Sequence, residues 1–359
     1  LTLARPDIQE ERMPYRRLGL AAGLLAGLLS SFSQLAAAQE PTKIRFTLDW
    51  KLQGIHAWYF WAQEKGYFAA EKLDVTIDQG EGSAATVTRV MSGAYDAGFG
   101  DVNAVIQNAA AKPGEAPVMV YMIYSKAPFA LLTKASSPIA SVKDMAGKKM
   151  GSPAGAAALR LFPALAKKNG LDPAKVEILN MAPNLQEQML LQGQVDVSAV
   201  FTATSYMNLV AQKLDPDKDF RWIYFADSGL DLYSNGIMVS AKLAREKPDA
   251  VKGLVRAIAR AMREAVADPG AAIELLAVKE PLINKDIEKR RLVYVVKTLI
   301  ATPEAAELGV GDIKDTRMAE AIATIVAAYE LPKTPAVGEV FNRSFLPPKG
   351  DRVLPAAGN

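Results

Sequence analysis

The stretch "KIRFTLDWKLQGIHAWYFWAQEKGYFAAEKLDVTIDQ", residues 43–79, decides how the chain is built. Its first eight residues alternate, with Ile44, Phe46 and Leu48 on one side, and its end does the same with Leu73, Val75 and Ile77. Between them the apolar run from about His56 to Tyr67 is long enough for a helix and closes on the "KG" of Lys65 and Gly66. Strand, helix, strand in this length describes a βαβ unit, which requires parallel neighbours and a sheet covered by helices.

The rhythm continues outward from this unit. "SAATVTRVMSGAY" predicts a helix starting at Ser83, followed by a short strand around Ala97 to Phe99. A second, similar unit follows: "KKMGS", the helix of "AAALRLFPALAKKNG" stopped by Gly170, the strand "KVEILNM", the helix "NLQEQMLLQGQ" and the strand "VDVSAVF". The apolar runs "PFALLTKA" (128–135) and "NGIMVSA" (235–241) bracket it and read as two crossings between lobes. The expected organisation is α/β with two lobes and a ligand cleft between them: residues 41–127 plus 242–347 form the first lobe and 128–241 the second. Long one-faced helices after residue 242 are expected to pack back on the first sheet. The Pro-rich end, 348–359, is expected to be a disordered tail.

Composition bounds the function. The 359 residues are 50% hydrophobic and 23% charged, with a formal net charge of +3, ordinary for a globular chain of about two domains. The basic residues are scattered, so no nucleic-acid partner is indicated. Arg16 and Arg17 precede "LGLAAGLLAGLLSSF" and then small residues at Ala36 and Ala38, the layout of a secretory signal peptide cut after Ala38. Residues 1–38 are therefore read as an N-terminal extension with a signal peptide, translation as starting at Met13, and the product as periplasmic. There is no cysteine, hence no disulfide, lipid-anchoring thiol or thiolate metal ligand.

In open α/β sheets ligands meet the loops that leave the strand ends. Those loops supply the candidates: Asp49, Trp50 and His56 in "DWKLQGIH", Ser83 in "QGEGSAAT", Asp101 and Asn103 in "GFGDVNAV", Ser152 and Gly155 in "GSPAGAAA", Asn184 in "NMAPNLQE" and Asn235 in "DLYSNG". Trp50 is positioned to stack on a ring, Trp58 more weakly so, and Trp61 shares the apolar face of Trp58. Asp49 and Asp101 can bond an amino or amidine-like group, or serve as caps. The helix starts at "GSPAG" and "GEGSAAT" suit an anion, for which Arg89, Lys126 and Arg160 are the candidate cations. His56 is the chain's single histidine. With no Ser, Cys or acid at a catalytic spacing, it reads as structural or ligand-bonding rather than as a general base.

The ordered motifs "LDW" with His56 five residues on, "AQEKGYF", "SGAYDAGFGD", "DMAGKKMGSPAG", "LLQGQVDVSAV", "NGIMVSAKLAREKPDAVKGLVRAI" and "FNRSFLP" resemble the NMT1/THI5-like family of periplasmic binding proteins, over residues 43–347. They are similar, more distantly, to receptors for sulfonates and taurine. The resemblance implies a type II periplasmic-binding fold and a substrate-binding component of an ABC importer, working as a monomer with membrane permease subunits and without a cofactor. Its best-known solutes are aminopyrimidine thiamine precursors, which places Trp50 and His56 at the ligand. A sulfonate or aromatic carboxylate remains an alternative solute, and a sensory role an alternative to transport. The same family holds thiamine pyrimidine synthases that use a lysine-bound pyridoxal phosphate, a histidine and an iron centre near a cysteine-rich run. Here Gly100 and Ala104 stand where those enzymes carry Lys and His, and cysteine is absent, so synthase activity is not expected.

Overall fold

The computed structural model describes residues 1, 2, 4 and 40–355. The expected signal peptide and its cut after Ala38 fall outside this description, apart from positions 1, 2 and 4. The body from Pro41 onward holds two five-stranded mixed sheets. The first is built from β1 (Thr42–Thr47), β2 (Leu73–Asp78), β3 (Ala97–Asp101), β4 (Val118–Met122) and β10 (Asn235–Val239), in the order β2-β1-β3-β10-β4. The second is built from β5 (Phe129–Lys134), β6 (Lys149–Ser152), β7 (Glu177–Asn180), β8 (Val197–Phe201) and β9 (Phe220–Tyr224), in the order β7-β6-β8-β5-β9.

The two sheets share one topology. β1 pairs parallel with β2 and β3, as β6 does with β7 and β8. In each, one antiparallel strand completes the sheet: β10 between β3 and β4, β5 between β8 and β9. This corrects the reading of 128–135 and 235–241 as crossings. Both are central strands, buried on both faces, which explains their unbroken apolar character. The connections between lobes are residues 123–128 and 225–234, and Asn235–Val239 belongs to the first lobe, not the second.

Seven helices position the site: α1 (Ala57–Glu64), α2 (Ser83–Met91), α3 (Val102–Ala111), α4 (Ala157–Lys168), α5 (Thr202–Ala211), α6 (Pro248–Ala267) and α7 (Lys285–Val295). The expected helix from His56 to Tyr67 is split into a 3-10 turn at Gly54–His56, α1, and a separate short turn at Tyr67–Ala70 after Gly66, whose φ of +71° ends α1. α6 buries Val251, Leu254, Val255, Ile258 and Met262 at helical spacing and packs on α1, as its one apolar face requires. A later helix, α8 (Asp315–Tyr329), does not stay on the first lobe. It packs on both α3 and α4, so one apolar cluster, with Val105, Phe162, Ile322 and Ile325, runs across the lobe boundary.

The tail is ordered through Pro355 where disorder was expected. Lys349–Arg352 form a 3-10 turn, and the buried Arg352 guanidinium donates to the carbonyls of Pro347, Gly309 and Val310. Three carbonyl partners, with the Asp312 carboxylate 3.7 Å away, satisfy a charge that sequence alone assigns to solvent. None of the described helices is long and apolar enough to cross a membrane.

Candidate functional site

Strand-end loops from both lobes enclose a cavity. The first lobe contributes Asp49, Trp50, Gln53, Ile55 and Ser83, and the second Ala156, Ala157, Gln186, Ala199, Phe201 and Thr204. The centre of a water molecule reaches only about 20 Å³ of it, enough for about one water. A solute of more than a few atoms therefore enters only when the lobes separate.

The loop after β1 builds the first wall. The Asp49 carbonyl accepts from Gly82 N–H at 2.8 Å, and the Trp50 carbonyl accepts from Gly80 N–H at 3.0 Å, tying this loop to the one after β2. Asp49 Oδ2 accepts from Asn235 Nδ2 at 2.8 Å and Oδ1 faces His56 Nε2 at 2.8 Å. A carboxylate has about four acceptor positions, so two remain for a guest. His56 is fully buried, and its Nδ1 accepts from Gln53 N–H at 3.1 Å. With Nδ1 accepting, Nε2 carries the hydrogen and donates it to Asp49.

The second wall is held from behind. The Ala199 carbonyl accepts from both Gln186 Nε2, at 2.6 Å, and Ser152 Oγ, at 2.9 Å. Across the cavity Thr204 Oγ1 donates to Gln53 Oε1 at 3.2 Å, a direct link between lobes. Beneath that link lies a buried ionic network. Arg291 on α7 pairs with Glu288 through Nε and Nη2, at 2.8 and 3.0 Å, and donates to the carbonyls of Ala203 and Thr204 and to Asn208 Oδ1, all on α5. Glu288 also accepts from Gly54 N–H at 2.6 Å. A Cβ at Gly54 would lie 2.1 Å from the Glu288 carbonyl oxygen, so glycine is needed for α7 to approach. Glu187, next to Gln186, accepts from Ser205 and Asn208. Burial raises its carboxyl above the usual range, and these two donors oppose that shift.

Of the ten sequence candidates, Asp49, Trp50 and Ser83 line the cavity. His56 and Asn235 are not among the lining residues and stand one layer back, each bonded to Asp49. Asp101 is buried and caps α3 through Ala104 N–H; burial lifts its carboxyl to about 7. Asn103 is fully buried and donates to Asp101 and to the Tyr233 carbonyl, which makes it a packing residue. Ser152 is spent on Ala199, and Asn184 is exposed, two residues short of the Gln186 that does face inward. Gly155 contacts the other lobe instead of the cavity: its carbonyl accepts from Ala85 N–H, and a Cβ on Gly82 would sit 2.1 Å from its oxygen. Trp58 is fully buried beside Tyr59, and Trp61 donates to Glu264, so both belong to the core. Gln53, Gln186, Phe201 and Thr204 were not among the expected residues. Only the rule that strand ends face the cleft could have flagged Phe201, the last residue of β8.

Two lobes of shared topology, joined by two connections and closing on a cavity at their strand ends, define the fold of periplasmic binding proteins. Residues 53–272 match the NMT1/THI5 like family, and the chain belongs to it. It is 26% identical over 219 residues to riboflavin-binding protein RibY of Chloroflexus aurantiacus, an alignment spanning 60% of each chain. It is 24% identical over 272 residues to 4-amino-5-hydroxymethyl-2-methylpyrimidine phosphate synthase of Legionella pneumophila, covering 74% of this chain and 84% of that one. Among solved structures it is similar to the alkanesulfonate-binding protein SsuA from Xanthomonas axonopodis pv. citri bound to MOPS. That likeness has a TM-score of 0.62 and 18% identity, and covers 85% of this chain and 99% of the other.

Proposed function

We propose that this chain is the periplasmic solute receptor of an ABC importer, and that its solute is a small planar heteroaromatic bearing amino groups, of the aminopyrimidine kind. The observation that carries the solute class is the Asp49 carboxylate, set in an aromatic-walled cavity whose described lining contains no cation. A ring stacked between Trp50 and Phe201 would offer its N–H groups to Asp49 and its acceptors to Ser83 and Thr204. A sulfonate or carboxylate would instead bring negative charge beside Asp49 without a counter-ion. The named relatives deal in riboflavin and in a pyrimidine, both planar nitrogen heterocycles, which supports the same reading.

The synthase names of other relatives have less support from the geometry. A Cβ on Gly100 would meet Met238 Cε at 2.7 Å and the Ser83 carbonyl oxygen at 2.8 Å. A side chain there would require the Ser83 backbone to shift, which argues against the extended lysine that a pyridoxal phosphate Schiff base requires.

The test is a thermal-melt series of the chain with aminopyrimidines, riboflavin, alkanesulfonates and aromatic carboxylates. A true solute at about 100 times its Kd adds about 2.7 kcal/mol of stability. Trp50→Ala should cost about 1 kcal/mol or more of that solute's binding. Shifts with sulfonates alone would overturn the solute class. Absence of any shift, together with failure to retain the permease in a pull-down, would overturn the receptor reading.

A further inference from the structure

Arg89 and Arg160, candidate cations for the main cavity, are not among its lining residues. Both line a separate open groove of about 450 Å³ on the outer side of the Gly82 and Gly155 contact. Arg89 comes from α2 in the first lobe and Arg160 from α4 in the second. The other polar groups around the groove are neutral: the hydroxyls of Thr88 and Ser92 and the amides of Gln107 and Asn108. No carboxylate is among its described lining residues.

The two guanidiniums are held but not neutralised. Arg89 Nη1 donates to Thr47 Oγ1 at 3.1 Å and to the Gln79 carbonyl at 2.9 Å, and Arg160 Nε donates to the Ala154 carbonyl at 3.0 Å. These bonds fix each side chain through neutral acceptors and leave Nη2 of Arg89 and both Nη atoms of Arg160 without a hydrogen-bond partner among the described residues. Arg45, Arg256, Arg291, Arg317 and Arg343 each have a carboxylate within ion-pair distance, whereas Arg89 and Arg160, like Arg221 with its carbonyl acceptors, have none among the described residues. An acid-free groove with two unneutralised guanidinium forks and neutral donors beside them has the chemistry of an oxyanion site.

We propose that this groove binds a tetrahedral oxyanion, inorganic phosphate or sulfate or a phosphoryl group, held between Arg89 of one lobe and Arg160 of the other. An anion held from both sides links the lobes and favours their closed arrangement. The site is chemically opposite to the inner cavity, which presents Asp49, and its anion chemistry is argued from groove residues alone, whichever solute that cavity takes.

Isothermal titration of the full chain with sodium phosphate and with sodium sulfate, at constant ionic strength, tests the proposal. Saturable binding is expected, weakened about tenfold or more by Arg160→Glu. It should be weakened as much by Thr88→Asp, which adds an acid at an exposed helix position without touching either arginine. Asp49→Asn should leave phosphate binding unchanged. A phosphorylated aminopyrimidine that binds more tightly than its parent in the wild type but not in Arg160→Glu would identify the anion as part of the cavity's guest. Phosphate binding alone, with no such gain, would identify a free anion. No saturable binding of either salt, or binding indifferent to both groove variants, would overturn the site.

Discussion

Nε2 of His56 lies 2.8 Å from Oδ1 of Asp49, and both side chains are buried. With Nδ1 accepting from Gln53 N–H and Nε2 facing Asp49, both ring nitrogens are engaged within the protein. We read the ring as a brace that orients the Asp49 carboxylate. His56→Ala would remove a core side chain, leave Gln53 N–H without its acceptor and strip Asp49 of one donor. A loss of about 2–4 kcal/mol of stability is expected from those effects together. Urea denaturation reads it directly, and a midpoint equal to that of the wild type would assign the ring no structural part.

The approach of Gly155 to Gly82 makes closure depend on two absent side chains. Gly82 has φ +149°, and a Cβ there would lie 2.1 Å from the Gly155 oxygen and 2.2 Å from its carbonyl carbon. The overlap is between lobes and is relieved by moving them apart, while the backbone strain of alanine at this positive φ stays within the first lobe in either arrangement. Gly82→Ala should therefore weaken solute binding more than tenfold, an effect above about 1.4 kcal/mol. Solution scattering should show a larger radius of gyration than that of the wild type with solute. Unchanged affinity would mean that the lobes need not meet here to hold the solute.

Much of this architecture was legible. Period-2 apolar runs marked the strands, and the strand-end rule led to Asp49, Trp50 and Ser83. What sequence could not supply was pairing. "NGIMV" announces a buried strand but says nothing of which sheet takes it, because antiparallel insertion depends on the chain's return from the second lobe. Gln53, Gln186 and Thr204 have the composition of any polar loop or helix surface. Only the meeting of two lobes makes them a wall. Arg291 sits in "KDIEKRRL", which reads as a solvated helix face, yet α5 covers it completely.

That buried guanidinium gives a further prediction. Arg291 reaches Glu288 in bidentate fashion and three acceptors on α5, with only 2% of its side chain exposed. Arg291→Met would leave Glu288 as a buried charge whose remaining donor is Gly54 N–H. Breaking such a pair costs about 3–5 kcal/mol. Arg291→Lys should recover little, since an ammonium cannot reproduce the planar fork. Equilibrium unfolding of both variants measures this. A cost below about 1 kcal/mol, the range of exposed pairs, would contradict a buried network.

Asp101 provides a pH dependence whose sign is fixed by burial. Its carboxyl is raised from 3.8 to about 7 in the folded chain, chiefly by desolvation, against the opposing bonds from Asn103 and Ala104. The folded state thus holds a proton that the unfolded state has released over this interval. The stabilisation is complete below about pH 4, declines as pH rises toward about 7, and is lost above that value. The steepest decline for one proton is about 1.4 kcal/mol per pH unit. Asp101→Asn keeps an oxygen to cap α3 but cannot ionise, so its stability should lack this slope. Melting temperatures of the two proteins should converge or cross as pH falls from about 7 to about 4, with the wild type gaining relative to the variant. Parallel curves across that range would show that Asp101 does not carry a proton in the folded protein, and that its cap is made by an ionised carboxylate.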